Sequence, residues 1–386
     1  MRSFFIAACY VLASCFLFSC GSSSSKKDEA EKTMLSKKFI LNEYAKGFSL
    51  TKEENGLQIL HVFPPFQNSA DTLKYLIVKD GKVPESYSDH QIIKVPSKNL
   101  VLTSTTQIAM VEALDKIESI GAITDPSFVF SPEIEQALEE KSIKSAGQNG
   151  QLNLETILAS GTDLVVSSAW STAAYNAYTP LINANIPVVI NAEWTEAHPL
   201  GRLEWIKVFG ALLDETQLAD SIFQSSKSEY LGLLSKVEDA EIDKPSVING
   251  MPYQEAWSIA GGNSYVGTLL KDAGAHWHWE NDTSAVSLQL DFETVYEVGE
   301  KAAYWIAPGR AHSKEQILTI DERFANFKSF KNGQIYNYHN RVNDAGLYDY
   351  FESGVVQPEI VLADLVKILH PEILPQYELF YFKKID

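Results

Sequence analysis

The chain has 386 residues, 45% of them hydrophobic, which is enough for a large buried core and for roughly two domains of about 150 residues each. Its formal net charge of −18 argues against binding to nucleic acid or anionic lipid and favours basic partners. The chain has seven Trp and seventeen Tyr, more than a core needs. These large aromatic rings each carry a polar group and often line ligand clefts.

The N-terminus predicts an export signal that ends at a lipidation site. Arg2 supplies one positive charge, and the apolar stretch 4–18 is shorter than the ~20 residues of a membrane-spanning helix. Cys20 follows, with Leu17 three residues before it, as in a bacterial lipoprotein signal. We therefore predict that residues 1–20 are a lipoprotein signal and that the thiol of Cys20 is lipidated. An ordinary cleaved signal with an incidental cysteine is the alternative.

A tether and a β-rich extension are predicted next. Residues 21–33 are rich in Ser, Lys and Glu without apolar periodicity, as in a flexible linker. Residues 34–97 contain β-like runs at 57–62 and 75–78, with an Asp-Gly turn signal at 80–81. This extension either caps a cleft or covers an exposed sheet edge.

The rest of the chain predicts two α/β lobes. Short buried-strand patterns alternate with helical spacing over 98–214, which indicates a parallel sheet. Residues 215–240 read as one long helix that can cross from one lobe to another. A second α/β series occupies 241–386. The predicted fold class is α/β, with two Rossmann-like lobes bridged by one long helix and an N-terminal β-rich extension.

An ordered set of segments carries a resemblance to one family. The segments are 101–106, 148–155 leading into 163–166, 261–265 with 269–275, 290–293 and 355–365. They resemble the periplasmic substrate-binding proteins of ATP-driven importers for cobalamin, haem and iron-siderophore complexes. The resemblance covers about residues 98–380 and leaves the β-rich extension outside it.

The resemblance implies a mode of action as well as a fold. Ligand would bind between the lobes, and closure would be small because one rigid helix joins them. The partners would be a permease with its ATPase, and the protein would act as a monomer without a cofactor of its own. It would be exported and lipid-anchored on the periplasmic face of a bacterial membrane, where Glu155 and Glu293 would dock onto basic pockets of the permease. Alternatively, each glutamate is a favourable helix-start residue.

Candidate ligand-binding residues follow predicted strands, because the loops at strand carboxyl ends converge on the cleft. They are Ser104, Thr105, Thr106, Gln107, Trp170, Trp194, Tyr253, Trp257, Arg310 and Arg341. The segment 104–107 can also cap a helix, and we favour both roles. Guanidinium groups form paired bonds to carboxylate or catecholate oxygens, although a surface salt bridge is the alternative for both arginines. Trp305 is predicted in the core, and Arg202 is predicted to be a structural or surface residue.

The ligand itself is left open by the sequence. An iron-siderophore complex, haem and a corrinoid all suit the resemblance, but Asn149 and Ser287 stand where the family's cobalamin binder presents Trp. Direct zinc or manganese binding would involve His276 and His278, which share one face at strand spacing. A metal site needs three or four converging ligands, and the other histidines show no recurring spacing, so we predict no metal site.

Two other classes of protein are weighed against a binding protein. The chain lacks the Gly-x-Ser-x-Gly, phosphate-loop and His-Glu-x-x-His motifs, so we predict that it is not an enzyme. A surface lipoprotein that captures a protein partner would fit the tether but would leave the cleft unused.

Overall fold

The computed structural model describes residues 39–386, apart from 41, 54–55, 67–68, 80–82, 149–150, 241–242 and 255. The predicted signal with Cys20, the tether, the Asp-Gly turn and Asn149 lie outside the described residues, so these remain predictions. Among the described helices, none is long and apolar enough to cross a membrane.

A five-stranded sheet forms the N-terminal extension. Its strands are β1 (Phe39–Ile40), β2 (Phe48–Lys52), β3 (Gln58–Val62), β4 (Leu73–Val78) and β5 (Gln91–Lys94), in that spatial order. Neighbours are antiparallel except β4 and β5, which are parallel. Alternate side chains such as Phe48 and Leu50 point to one face and join the core of the first lobe.

The first lobe is a parallel sheet with helices between its strands. Its elements are β6 (Leu100–Leu102), α1 (Thr105–Ala113), β7 (Ile120–Ile123), α2 (Pro132–Glu139), β8 (Lys144–Ser145), β9 (Gly147–Gln148), β10 (Gln151–Leu152), α3 (Leu154–Ala159), β11 (Leu164–Ser167), α4 (Thr172–Asn176), α5 (Thr179–Asn183) and β12 (Val188–Ile190). The sheet order is β12-β11-β6-β7-β8, and β9 with β10 forms a separate antiparallel pair. Residues of β6, β11 and β12 are buried on both faces, which explains their continuous apolar sequences.

The N-terminal extension covers the edge strand β12 of this sheet. The hydroxyl of Tyr75 accepts the N–H of Ile190 at 3.3 Å, and Gln91 Oε1 accepts the N–H of Val188 at 2.9 Å. Side chains thus satisfy the edge groups that a neighbouring strand would otherwise pair with. Of the two roles considered for the extension, the structure shows the covering of a sheet edge.

Three helices lead from the first lobe to the second. They are α6 (Pro199–Glu204), α7 (Ile206–Leu213) and the 24-residue α8 (Thr216–Asp239). The buried carboxylate of Glu204 in α6 accepts the backbone N–H groups of Tyr44 and Ala45 at 2.6 and 2.8 Å, so it also anchors the extension. The long helix α8 bridges the lobes.

The second lobe repeats the α/β arrangement with a smaller sheet. Its elements are β13 (Val247–Asn249), β14 (Pro252–Tyr253), β15 (Ala256–Ile259), α9 (Tyr265–Asp272), β16 (Leu288–Leu290), α10 (Phe292–Gly299), β17 (Tyr304–Ile306), α11 (Lys314–Ile320), α12 (Lys328–Lys331), β18 (Ile335–Asn337), α13 (Pro358–Leu369) and β19 (Lys383–Lys384). The main sheet has the order β13-β17-β18-β19, with β19 antiparallel, and β14, β15 and β16 form an antiparallel sheet. The predicted fold class is confirmed.

Candidate ligand-binding cleft

Strands of both lobes end at cavities suited to a ligand. A first-lobe cavity of about 520 Å³ is lined by residues that follow β6, β7 and β11, including Thr103, Asp125 and Trp170. An interlobe cavity of about 520 Å³ is lined by residues from both lobes. Both volumes are typical of small-molecule sites.

The interlobe cavity brings together residues that are far apart in the sequence. Thr106 and Trp194 come from the first lobe, Arg202 comes from α6, and second-lobe residues including Tyr265 and Tyr338 complete the wall. Among the described residues that line this cavity, Arg202 is the one charged side chain, and none is a carboxylate. In a chain with a net charge of −18, this composition favours an anionic ligand.

Arg202 is held in place from both lobes. Its Nε donates to the carbonyl of Glu196 and its Nη2 to the carbonyl of Trp194, both at 3.1 Å. Its guanidinium carbon lies 3.8 Å from the ring centroid of Tyr265 in the second lobe, a cation–π contact. The sequence indicated only a structural or surface role for Arg202, because its place in the cleft depends on how α6 packs between the lobes.

A buried carboxyl group lies next to the cavity. Thr106 Oγ1 donates to Glu193 Oε1 at 2.8 Å, and burial raises the pKa of Glu193 although this bond and the charge of Arg202 oppose the rise. Glu193 Oε2 and the indole Nε1 of Trp194 are buried and have no hydrogen-bond partner among the described residues. Buried polar atoms normally have partners, so the first-lobe side of the cleft retains hydrogen-bonding capacity.

The second lobe places a polar aromatic cluster near the cleft. The rings of His312 and His339 stack at 5.0 Å, and His312 Nε2 lies 2.5 Å from the hydroxyl of Tyr348. The ring of Tyr348 packs against that of Tyr338, which lines the interlobe cavity. Burial raises the pKa of Tyr338 to about 12, while the charge of nearby Arg310 opposes this rise.

Large apolar side chains are exposed at the cavity linings. Trp170 of the first lobe is 67% exposed, while Val286 and Phe351 of the second lobe are 58% and 51% exposed. Such exposure costs free energy in water and is common at binding sites. These residues suit a ligand with an apolar or aromatic periphery.

Three of the ligand-binding residues predicted from sequence line the interlobe cavity or the first-lobe cavity. Thr106 and Trp194 line the interlobe cavity and Trp170 the first-lobe cavity, although their contact with ligand stays a prediction. Ser104 precedes helix α1, Thr105 begins it, and both are half-buried. The hydroxyl of Ser104 bonds that of Thr106 at 2.9 Å instead of capping the helix.

Gln107 and Trp257 are corrected by the structure. Gln107 is buried, and its Oε1 accepts the N–H of Thr103 at 2.8 Å, which makes it a support of the loop. Trp257 is also buried, with Nε1 donating to the carbonyl of Asn249 at 3.0 Å and its ring packed against Trp305. Neither residue lines the interlobe cavity or the first-lobe cavity. Trp305 is in the core as predicted.

The remaining predicted ligand residues line neither the interlobe cavity nor the first-lobe cavity. Tyr253 is 78% exposed on the β14–β15 hairpin, and Arg310 is exposed near Tyr338 and Tyr348. Arg341 forms the salt bridge considered as its alternative role, since its Nε pairs with Asp349, and it lines a separate polar pocket, while its contact with ligand stays a prediction.

The two predicted docking residues occupy equivalent positions in the two lobes. Glu155 and Glu293 are exposed second residues of α3 and α10. The side chains of Asn153 and Asp291 cap these helices by accepting the N–H group three residues on. Glu293 also pairs with Arg323 at 3.0 Å.

The histidines considered for direct metal binding do not converge. His276 Nδ1 lies 2.9 Å from a carboxylate oxygen of Glu280, and the ring of His278 packs against Trp279. Within the described part of the chain, no group of three or more His, Cys, Asp and Glu residues is arranged to hold a metal ion.

Comparison with known sequences agrees with this architecture. Residues 100–342 match the profile of a family described as periplasmic binding protein. The chain belongs to the periplasmic binding protein family. Families of this kind are transport-associated binding proteins and not enzymes, and their members work with the permease and ATPase of ABC importers.

Individual relatives of this periplasmic binding protein differ widely in sequence. An uncharacterized lipoprotein of Methanocaldococcus jannaschii is 24% identical over 328 residues, which cover 80% of this chain and 75% of that protein. A protein of an ABC-type Fe³⁺-hydroxamate transport system from Saccharomonospora viridis has a TM-score of 0.53 and 17% identity, covering 71% of this chain and 94% of the other. A periplasmic haem-binding protein from Pseudomonas aeruginosa has a TM-score of 0.54 and 17% identity, covering 75% and 98%. These structural similarities show the fold alone.

Proposed function

We propose that this chain is the solute-binding component of an ABC importer and that it captures an anionic iron complex, a siderophore chelate or haem, between its lobes. The observation that carries the proposal is the lining of the interlobe cavity, where Arg202 is the one charged side chain of the described residues in a strongly acidic protein. A guanidinium offers paired, charge-assisted bonds to carboxylate or catecholate oxygens.

Further features support the same class of ligand. Arg310, together with His312 and His339, adds basic groups near the second-lobe side of the cleft. The exposed rings of Trp170 and Phe351 offer apolar surface to a large chelate or a tetrapyrrole. Two of the similar proteins, one named as part of an Fe³⁺-hydroxamate transport system and one named as a periplasmic haem-binding protein, are compatible with this proposal.

Export and anchoring are part of the proposal. The lipidation motif at Cys20 and the lipoprotein names of similar proteins support a lipid-anchored protein on the periplasmic face of a bacterial membrane. Glu155 and Glu293 would then contact the permease, and a separate ATPase would supply the energy.

A thermal-shift titration of the full chain tests the proposed ligand class. The ligands are a ferric tricatecholate, haem, a neutral ferric hydroxamate, cobalamin, molybdate, zinc and manganese. We expect an anionic iron complex to raise the melting temperature, because a ligand at 100 times its Kd stabilises the folded state by about 2.7 kcal/mol. Stabilisation by cobalamin alone would favour a corrinoid, and stabilisation by zinc or manganese alone would contradict the proposal.

A further inference from the structure

A polar pocket adjoins the segment that walls the interlobe cavity in the second lobe. Two short 3-10 turns, Asp349–Phe351 and Ser353–Val355, form this segment. Tyr350 and Phe351 line the interlobe cavity, whereas Asp349 and Glu352 line the polar pocket together with first-lobe residues. The same short segment therefore belongs both to the cavity wall and to a contact between the lobes.

Glu352 makes the closest polar connection in this contact. Its Oε2 accepts the N–H of Phe130 at 2.8 Å, and its Oε1 accepts the N–H of Ser131 at 2.9 Å. Both donors precede helix α2 of the first lobe, and the Glu352 side chain belongs to a residue only 3% exposed. Hydrogen bonds from two backbone groups to the two oxygens of one carboxyl group fix both its position and its orientation.

Other charged groups surround Glu352 from both lobes. From the first lobe, Glu112 of α1 accepts the hydroxyl of Ser131, and Glu133 of α2 lines the same pocket. From the second lobe, Asp349 forms its ion pair with Arg341. Burial, opposed by the two backbone donors and reinforced by the charges of Glu112 and Asp349, raises the pKa of Glu352 to about 7.

We propose that Glu352 is a positioning residue that holds the cavity wall of the second lobe against the first lobe, and that ionisation of its carboxyl group loosens this contact. The contact involves neither Arg202 nor any ligand, so the inference goes beyond the proposed function and holds for any ligand. It also gives Arg341 a role, since the pair with Asp349 anchors the segment that carries Glu352.

The direction of the pH effect follows from proton linkage. When the contact opens, the carboxyl group meets water and its pKa returns toward the ordinary glutamate range. The closed contact therefore binds the proton more tightly than the open one. Its stability is greatest below the ordinary glutamate pKa and is lost as the pH rises through about 7.

Amide hydrogen exchange of the full chain at pH 6 and pH 8 tests this proposal without any ligand. Peptides covering 128–134 and 349–355 report opening of the contact after correction for intrinsic exchange rates, and β11 serves as an internal reference. We expect the opening constant of both segments to rise about tenfold from pH 6 to pH 8 in the wild type. In Glu352→Gln, which cannot ionise, it should not change with pH.

Glu135→Gln is the matched control. Glu135 is an exposed acid of helix α2, and its Oε1 accepts a hydrogen bond from Nδ2 of the second-lobe residue Asn343 at 3.3 Å. In this variant the opening constant should rise from pH 6 to pH 8 as in the wild type. A rise of equal size in Glu352→Gln, or an equal change in the exchange of β11, would overturn the proposal. If Glu352→Gln does not fold, Glu112→Gln provides the test. The charge of Glu112 raises the pKa of Glu352, so removing it should shift the rise in the opening constant to lower pH. An unshifted rise would overturn the proposal.

Discussion

At the scale of single residues, the ability of the cleft to bind an anion depends mainly on Arg202 and its neighbours. Arg202 stacks on Tyr265 and donates to two carbonyl groups, so its guanidinium is oriented before any ligand arrives. Such pre-organisation lowers the entropy cost of binding. Burial raises the pKa of the neighbouring carboxyl group of Glu193.

Replacing Arg202 tests the charge preference of the cleft. Arg202→Met should weaken binding of the ferric tricatecholate or haem, whichever stabilises the protein, by about 1.5–3 kcal/mol, because a charge-assisted contact is lost. Arg202→Lys keeps the positive charge but loses the paired donors of the guanidinium, so its ligand affinity should lie between those of the wild type and Arg202→Met. Isothermal titration calorimetry measures the affinities.

The control for this substitution is Arg323→Met, which removes a surface arginine that does not line the interlobe cavity. Its affinity should equal that of the wild type. Equal affinities of Arg202→Met and wild type would exclude Arg202 from ligand recognition.

At the scale of elements, the loop 280–287 is shaped by two glycines. A Cβ at Gly262 would lie 2.2 Å from the carbonyl oxygen of Asp282 and 2.3 Å from that of Glu280, and one at Gly261 would lie 2.5 Å from that of Val286. The loop can therefore approach the start of α9 only because these positions lack side chains. Its end, with Val286, lines the interlobe cavity.

Gly262→Ala should destabilise the protein by about 1–3 kcal/mol, because the added methyl group collides with backbone that cannot move away easily. Denaturant unfolding followed by circular dichroism measures the change. Gly232→Ala in the bridging helix α8 is the control, since a Cβ there meets nothing within 4 Å and alanine favours the helix. A Gly262→Ala protein as stable as the control would contradict this account of the loop.

At the scale of the whole molecule, the two lobes present matching helix starts. Each start carries a capping side chain, Asn153 or Asp291, followed two residues later by an exposed glutamate. The chain places these two glutamates on different lobes, so one partner that contacts both would sense the relative position of the lobes. This arrangement fits permease docking and makes it testable apart from ligand binding.

The double variant Glu155→Arg with Glu293→Arg should abolish ligand delivery in a reconstituted importer while leaving ligand affinity nearly unchanged, because both carboxylates lie outside the interlobe cavity. Uptake of the radiolabelled iron complex measures delivery. Glu139→Arg with Glu297→Arg reverses two other exposed acids and should transport normally. Wild-type uptake by the first double variant would refute the docking role.

The sequence by itself determined the architecture and part of the cleft. Parallel strands buried on both faces have continuous apolar sequences, so the strands of the first lobe could be predicted from the sequence. The helical spacing of residues 215–240 likewise predicted the long bridging helix. Thr106, Trp170 and Trp194 line cavities because they follow such strands, whose carboxyl ends meet at one edge of the sheet.

Only the tertiary structure decided which of several similar side chains face the cleft. Trp257 packs into the second-lobe core beside Trp305, and Arg341 pairs with Asp349, whereas Arg202 reaches the cavity because α6 packs between the lobes. Periodicity reports local structure, but the direction in which a side chain points depends on contacts that form only when the chain is folded. The Glu352 contact with Phe130 and Ser131 is of this kind, and nothing local in the sequence marks it.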